Sequence, residues 1–480
     1  MTSVQEFGMN ELKREQARAN PKVAIIILNW NKRDDTLKLL RSLESIDYDN
    51  HDTVVVDNAS TDGSTETIRK QFPNIDLIIN TDNLGGTGGF NSGMRHALTN
   101  RNYKYVWLLD NDAEVESSTL RELVDAMEQD ETIGIAGSRI IDSDRRDITV
   151  EAGAFLKRDS IGVQPLYRNI RNLNIATRIM EVDYVAICSA LARTSALERV
   201  GLMDERYFFF WDDMDWGLQF KENGFKVVSV LSSIVYHPAF TEKRGIMADY
   251  YYGNRNSLLT YTKHMGLSNR ISIFYRYLRH KCTSLIFLGL NGKEDTMKLG
   301  FEGIWDFVVG RWGKKINASK TNEALYKSTD FPKGVKNILI LNDGDKDEIY
   351  NAYNFLSSTY PDASFTLLIT DDRTDFFDKG FENLITINTT KPYSLIYLIP
   401  IFMKMLFKKF DIAVSFKNSS PFSYTAVKSY SFHLNTRNFN EIDSNFHNFW
   451  KLILSLIIGE MMSIVLLPIL LASSLKHNRT

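Results

Sequence analysis

The sequence is poor in cysteine. Its 480 residues contain two, Cys188 and Cys282. Two thiols cannot build a disulfide framework or a cysteine-only zinc site, and the scarcity fits a reducing compartment. An excess of one charge is also missing. Lys+Arg number 57 and Asp+Glu 59, a formal net charge of −2. That balance provides no general attraction for nucleic acid, so none is expected as a partner. The first 20 residues are polar and lack the apolar core of a signal peptide. No repeat of solenoid period is present. Hydrophobic residues are 44% and charged residues 24%, which excludes disordered and low-complexity classes. At about 150 residues per domain, the length predicts two to four domains.

One long apolar run is present. Leu452–Leu475 contains a single charge, Glu460. A spanning helix needs roughly 20 mostly apolar residues, which this run meets. Glu460 and Pro468 both weigh against spanning. The expectation is an apolar helix over 449–475 that anchors in, or lies on, a membrane. Its orientation stays open, because basic residues flank both ends.

Elsewhere short apolar runs alternate with helical spacing. Val23–Leu28, Thr53–Asp57, Ile75–Ile79, Tyr105–Leu109 and Ile133–Ala136 read as strands. Thr36–Ile46, Ser64–Phe72 and Ser117–Gln129 read as helices between them. The alternation predicts an α/β layer with a mostly parallel sheet. In such sheets ligands bind beyond the carboxyl ends of the strands. Asn29–Asn31, Asp57–Asp62 and Asp110–Asp112 each follow a strand and should meet at one edge. After a polar stretch over 313–336, read as a linker, a second α/β pattern runs over 337–448. Strands are expected near Ile338–Leu341, Ser364–Thr370, Leu384–Ile387 and Asp411–Phe416, with helices near Ile349–Ser358 and over 393–407.

Four features carry chemistry. Asp110 and Asp112, two apart at a strand end, can face one hard cation such as Mg²⁺ or Mn²⁺. A solvated acidic turn is the plainer alternative. Phe208–Trp216 packs Asp212, Asp213 and Asp215 into an aromatic run, and apolar walls make a carboxylate a better base. One of these acids can instead cap the helix Met214–Glu222. Gly85–Gly93 holds Gly85, Gly86, Gly88, Gly89 and Asn91, and its amides can approach phosphate at a helix start. It is neither a GxGxxG fingerprint nor a P-loop. His237, after an apolar stretch, becomes a third metal ligand only if it faces Asp110 and Asp112.

Together these motifs resemble glycosyltransferase family 2, enzymes of the GT-A fold. The segments are VAIIILNWN, VVVDNASTDGS, NTDNLGGTGGFNSGM, the DND triplet, WDDMD and YYYGNRN. The particular blocks resemble the galactofuranosyltransferase and rhamnosyltransferase-like branch, over roughly 22–312. The resemblance implies inverting transfer from a nucleotide diphosphate sugar, UDP- or dTDP-linked, to a glycan or lipid-linked acceptor in cell-surface polysaccharide synthesis. It implies Mn²⁺ or Mg²⁺ on Asp110, Asp112 and His237, and Asp213 as general base. Trp211, Asp212 and Asp215 would bind the acceptor. Asn29, Asp57, Asn58, Asp62, the glycines, Asn91, Asn111 and Arg255 would bind the donor. Arg255 would lie at the diphosphate or order the closing loop. Asn111 departs from the acid found at that position in many relatives of the galactofuranosyl branch. The expected fold is a GT-A type mixed, mostly parallel sheet flanked by helices. A lead-in over 1–21, a smaller Rossmann-like domain and the apolar helix complete it. The expected location is the cytoplasmic side of the membrane, and a homo-oligomer is compatible. A nucleotidyltransferase, a sugar-nucleotide-binding scaffold and a processive polymerase remain as alternatives.

Overall fold

The computed structural model describes residues 20–100, 102–171, 178–238, 245–315, 334–341, 346–370, 383–387, 410–415, 426–433, 438–442 and 446–477. The expected lead-in to residue 19, most of the linker (316–333) and the helix at 393–407 lie outside the described residues. The chain divides into two compact units. The first holds 1–266, 303–318 and 473–480, and the second 267–302 and 319–472.

The first unit opens with β1 (Val23–Asn29), α1 (Arg33–Leu43), β2 (His51–Asp57), α2 (Ser64–Gln71) and β3 (Asp76–Ile79). Then come α3 (Gly85–Asn100), β4 (Tyr105–Asp110), β5 (Glu114–Val115), α4 (Thr119–Gln129) and β6 (Ile133–Asp142). Short strands β7 (Ile148–Glu151), β8 (Ala154–Leu156), β9 (Val163–Pro165), β10 (Ile170–Arg171) and β11 (Ile179–Glu181) follow. The unit continues with β12 (Ser189–Arg193), α5 (Thr194–Val200), α6 (Asp212–Glu222), β13 (Lys226–His237), a π-helical turn (Met247–Tyr252) and α7 (Gly253–His264).

The sheet order is β10-β7-β6-β12-β4-β1-β2-β3. β3, β2, β1 and β4 are parallel. β12 is antiparallel to both β4 and β6, and β13 runs parallel to β6. The sheet is thus mixed and mostly parallel around β1.

Strand β1 explains the continuous apolar run. Ile25 and Ile27 pack with Leu39 and Leu40 of α1 on one face. Ala24 and Ile26 pack with Phe90 and Met94 of α3 on the other. A strand covered on both sides needs apolar residues at every position. The glycines of α3 let it lie close to the sheet. A Cβ on Gly93 would sit 2.4 Å from Ile26 Cγ2, and one on Gly89 2.3 Å from Leu28 Cδ1.

In the second unit, α8 (Leu267–Leu290) precedes α9 (Glu294–Val309), whose end lies in the first unit. The unit continues with β14 (Asn337–Leu341), α10 (Lys346–Thr359), β15 (Ser364–Thr370), β16 (Asn383–Ile387), β17 (Phe410–Ser415), β18 (Ala426–His433) and β19 (Asn438–Ile442). The order β16-β15-β14-β17-β18-β19 is parallel except for β19. Counted from β14, this is 3-2-1-4-5-6, the order of a doubly wound sheet. Helix α11 (Phe446–His477) contains Pro468. Its segment Leu454–His477 is long and apolar enough to cross a membrane, by length and composition. Thr283 of α8 packs on Gly459 of α11. This packing draws 267–302 into the second unit.

Gly93→Ala tests the close approach of α3. Alanine is the better helix former by about 0.8–1 kcal/mol. Overpacking against Ile26 and Val56 should outweigh that and destabilise by about 1–3 kcal/mol. Urea denaturation reads the sign; a stabilised variant would mean that the helix retreats freely.

Candidate active site

The three polar strand ends do meet. β1 and β2 pair Asn29 with Asp57, and β1 and β4 pair Leu28 with Asp110. Asn29 Nδ2 donates to Asp57 Oδ1 at 2.9 Å and to Ser60 Oγ at 3.2 Å. Its own Oδ1 accepts from Thr36 at 2.9 Å and from Asn111 Nδ2 at 3.4 Å. The backbone N–H of Ser60 fills Asp57 Oδ2 at 2.9 Å. Asn58 Oδ1 accepts from Asn80 and from the Leu84 N–H, and its amide donates to the Gly85 carbonyl. Asp62 accepts from the N–H of Arg33 and of Ser64. Asn29, Asp57 and Asn58 are buried. Their hydrogen bonds hold the loops at the strand ends, satisfying groups that would otherwise be costly to bury.

The acidic triplet follows β4. Immediately after it, β5 pairs antiparallel with the end of β13, Glu114 opposite Tyr236. That pairing carries Asp112 to His237. His237 Nε2 lies 3.0 Å from Asp112 Oδ1 and 3.7 Å from Asp110 Oδ2. Ligand atoms of all three lie within 4.8 Å of one another. His237 Nδ1 is 2.7 Å from the Pro238 carbonyl. That bond assigns the proton to Nδ1 and leaves Nε2 facing the acids, the arrangement of a metal-ligating imidazole. Two carboxylates and one imidazole suit a divalent cation such as Mn²⁺ or Mg²⁺. Burial opposes charge on His237, but its hydrogen bonds to Asp110 and Asp112 raise it to about 10. Ligation therefore competes with a proton.

The aromatic acid cluster reaches the same region. Burial, then the charges of Asp110, Asp112, Glu151 and Asp213, push the Cys188 thiol well above its usual value. Carboxylates of β4, its following turn, β7 and α6 thus all bear electrostatically on one buried sulfur. Asp213 is half-buried, and Asp212 is buried. Thr87 Oγ1 donates to Asp212 Oδ2 at 2.6 Å. Burial raises the Asp212 carboxyl above the usual range, only partly offset by Thr87 and nearby N–H groups. Helix α6 starts two residues earlier than expected, so Asp212, Asp213 and Asp215 all lie in its first turn, where the helix dipole favours anions.

The approach to α6 is strained. Phe208, Phe210 and Trp211 have φ of 65°, 73° and 74°. A left-handed conformation costs a non-glycine residue roughly 1–2 kcal/mol. A clamp holds it. Asn256 Nδ2 donates to the carbonyls of Tyr207, Phe209 and Phe210 at 3.0, 2.9 and 2.7 Å. Arg255 donates to the carbonyls of Arg206 and Tyr207 at 3.3 and 3.1 Å, and to that of Gly313 at 2.8 Å. Gly85 completes it. With φ 75° its absent Cβ would lie 2.1 Å from the Phe208 carbonyl.

Three expectations are corrected. Arg255 is fully buried, and its guanidinium is taken up by backbone carbonyls beneath the loop. It is not a donor ligand here, although it does order the loop. Asp215 is fully buried among Tyr207, Lys263 and His264, so it supports α6 and offers no surface to an acceptor. Asn91 is buried and exchanges two hydrogen bonds with the Met203 backbone. Gly88 packs on the Leu84 side chain, while Gly86, facing Asp212, stays half-buried. The clamp Asn256, the pin Thr87 and the half-exposed Trp30 were not expected. Asn256 lies inside the YYYGNRN block and Thr87 inside the glycine block, where residue type alone did not reveal their partners.

Residues 24–200 match the family model described as Glycosyl transferase family 2. A low-salt glycan biosynthesis hexosyltransferase of Haloferax volcanii is 24% identical over 197 residues, 40% of this chain and 59% of that protein. A galactofuranosyltransferase of Mycobacterium tuberculosis is 23% identical over 202 residues, 39% of this chain and 32% of that protein. The chain thus spans less than two thirds of the length of either relative. A solved mannosyltransferase of Pyrobaculum calidifontis, in complex with GDP-Man and Mn²⁺, gives a TM-score of 0.35 at 18% identity, covering 58% of this chain and 74% of that one.

Asn256→Ala frees three carbonyls of the left-handed loop. At about 1 kcal/mol net per hydrogen bond, it should cost about 2–3 kcal/mol and expose 207–211 to limited proteolysis. Unchanged protection of that segment would mean the clamp is dispensable.

Proposed function

We propose, on the premise that residues 24–200 are a glycosyl transferase family 2 domain, that the protein is an inverting, divalent-metal-dependent glycosyltransferase. It moves a galactofuranose or rhamnose-like sugar from a UDP- or dTDP-linked donor to a glycan or lipid-linked acceptor in cell-surface polysaccharide synthesis. The carrying observation is the convergence of Asp110, Asp112 and His237 at the end of a parallel sheet, with the Asp213 carboxylate bearing on the same buried thiol, Cys188, as Asp110 and Asp112 do. The hexosyltransferase and galactofuranosyltransferase names of the relatives support the class of reaction.

Asp110, Asp112 and His237 would hold Mn²⁺ or Mg²⁺. The bound cation supplies charge neutralisation for the leaving diphosphate. The remaining chemistry falls to the chain. Asp213, more open than its buried neighbour Asp212, takes the proton from the acceptor hydroxyl as that oxygen attacks the anomeric carbon. The bond to the diphosphate breaks on the opposite face, which inverts the centre. Asp212 and Thr87 fix the start of α6, and so the base. Trp211 offers a ring to the acceptor sugar. The network of Asn29, Asp57, Asn58 and Asp62 shapes the donor side, and the half-buried Gly86 lets a diphosphate approach its amide. Asn111 bridges the donor side to the metal turn through Asn29.

The protein works at a membrane, on its cytoplasmic side. The support is the apolar stripe of α11, where Met461, Ile464 and Val465 are 64%, 61% and 65% exposed. Large apolar groups exposed in a row favour a lipid contact.

Asp213→Asn should lower turnover by about 10²–10⁴-fold, since that is the usual worth of a general base. Donor binding, read as the thermal shift with UDP and Mn²⁺, should persist. Near-normal turnover would remove Asp213 from the role. Chelation of divalent metal should abolish turnover, and Mn²⁺ should restore it; chelator-resistant turnover would sink the metal assignment. Changing Met461, Ile464 and Val465 together to glutamine should release the protein from vesicles and leave its melting temperature nearly unchanged. Undiminished vesicle binding would put the lipid-facing side elsewhere.

A further inference from the structure

The first unit contains an open cleft of about 500 Å³ away from the acid cluster, lined by Arg206, Val309, Trp312, Lys476, His477 and Asp204. Its wall is apolar and aromatic. Phe307, Trp312 and His477 pack edge to face, with centroids 5.1–6.0 Å apart. Val309 is partly exposed beside them. Gly310 makes the close packing possible, because a Cβ there would lie 2.8 Å from His477 Cε1.

The rim is cationic. The Arg206 guanidinium lies 5.9 Å from the centre of the Trp312 ring. Asp204 pairs with Arg206 at 2.6 Å and also with Lys263 at 2.9 Å, so one carboxylate is shared between two cations. Lys476 is exposed and forms no ion pair among the described residues. Lys314, two residues beyond Trp312, is exposed as well. The cleft thus combines an excess of positive charge with a ring-lined wall.

Two chain connections give it meaning. Arg206 directly precedes the strained aromatic loop, and its carbonyl accepts from the Gly313 N–H at 3.0 Å. Lys476 and His477 form the last turn of the apolar helix α11. One side of the cleft therefore continues into the loop proposed for the acceptor. The other belongs to the most apolar segment of the chain. A free phosphate would leave the aromatic wall unused, and a neutral sugar or lipid would leave the cations unused.

We infer that this cleft binds a phosphate group carried on an apolar chain, held by Arg206 and Lys476 against Trp312. Such a group is borne by a lipid-linked acceptor and by an anionic membrane lipid. The assignment of a role in acceptor binding rests on the glycosyltransferase reading; the site itself does not.

The test uses the full chain in detergent, with farnesyl phosphate, farnesol and inorganic phosphate as probes for calorimetric titration. Farnesyl phosphate should bind more tightly than either of the others. Lys476→Glu, at an exposed position, should weaken it by about tenfold or more, as expected for loss of a charge-assisted contact and gain of a repulsive one. Lys476→Arg should keep it. Equal binding of farnesol, or equal affinity in Lys476→Glu, overturns the proposal. Vesicles of neutral phosphatidylcholine, with and without phosphatidylglycerol, separate the two sources. If phosphatidylglycerol competes with farnesyl phosphate, the same site takes a membrane headgroup; if not, it favours the acceptor. Both results uphold the phosphate-on-apolar-chain chemistry. The thermal shift with UDP and Mn²⁺ is read in parallel. Its absence in the wild type would count against the glycosyltransferase reading, while leaving the lipid phosphate result standing.

Discussion

The site depends on a strained turn that other residues hold in shape. Phe208, Phe210 and Trp211 adopt left-handed backbone conformations that bulky side chains disfavour. Together they cost several kcal/mol at roughly 1–2 each. Three hydrogen bonds from one Asn256 amide and several from the Arg255 guanidinium go to carbonyls of this turn or beside it. Left-handed geometry turns consecutive carbonyls toward these donors. It also fixes Trp211 and the start of α6, so strain is retained where the proposed base and the ring beside it are positioned together.

The opposite wall is built by register, without comparable strain. Parallel neighbours β2, β1 and β4 end nearly level, and each ends in polar residues. Buried amides and carboxylates there bond one another, which makes the edge stiff before any ligand arrives. Preorganisation of this kind is what electrostatic stabilisation of a leaving group requires. Most of the residues proposed for the donor side spend their polar atoms on one another and on loop backbone, which leaves a shaped surface at this edge.

This division explains what the sequence made legible. Apolar runs bounded by Asn29, Asp57 and Asp110 disclosed the parallel core and its polar edge, because burial on both faces forces a recognisable pattern. The candidate metal cluster was legible from the residues in Asp110 and Asp112, whereas His237 joined it only through the family resemblance, because the pairing of β5 with β13 that brings it there is not encoded in spacing. Asp215 and Arg255 misled for a common reason. A charged residue inside a motif invites a ligand role, yet full burial with several partners is equally compatible with the same letters. Asn256 was overlooked since an asparagine on a helix carries no signature until the carbonyls it serves are seen. The glycine block was expected at a helix start, and it does begin α3; what the letters did not reveal is that its small size serves helix–sheet contact at Gly89 and Gly93.

The apolar C-terminal helix shows how one partner changes the meaning of a charge. In the sequence, Glu460 argues against a lipid environment. In the fold, Arg279 Nε meets Glu460 Oε2 at 2.7 Å, and the Tyr275 hydroxyl donates to Oε1. Both partners lie on α8, within the same unit. Gly459, next to Glu460, takes Thr283 of that helix at close range. The charge is thereby turned toward protein. The residues left outward, Leu454, Ile457, Met461, Ile464, Val465 and Ile469, recur at helical spacing without a carboxylate among them. A paired acid on the inner face lowers the cost of lipid contact on the outer one, because only an uncompensated charge must be kept wet. The same helix ends in Lys476 beside the aromatic cleft, so its apolar length and its cationic terminus suit the two halves of an amphiphile, a chain and a phosphate.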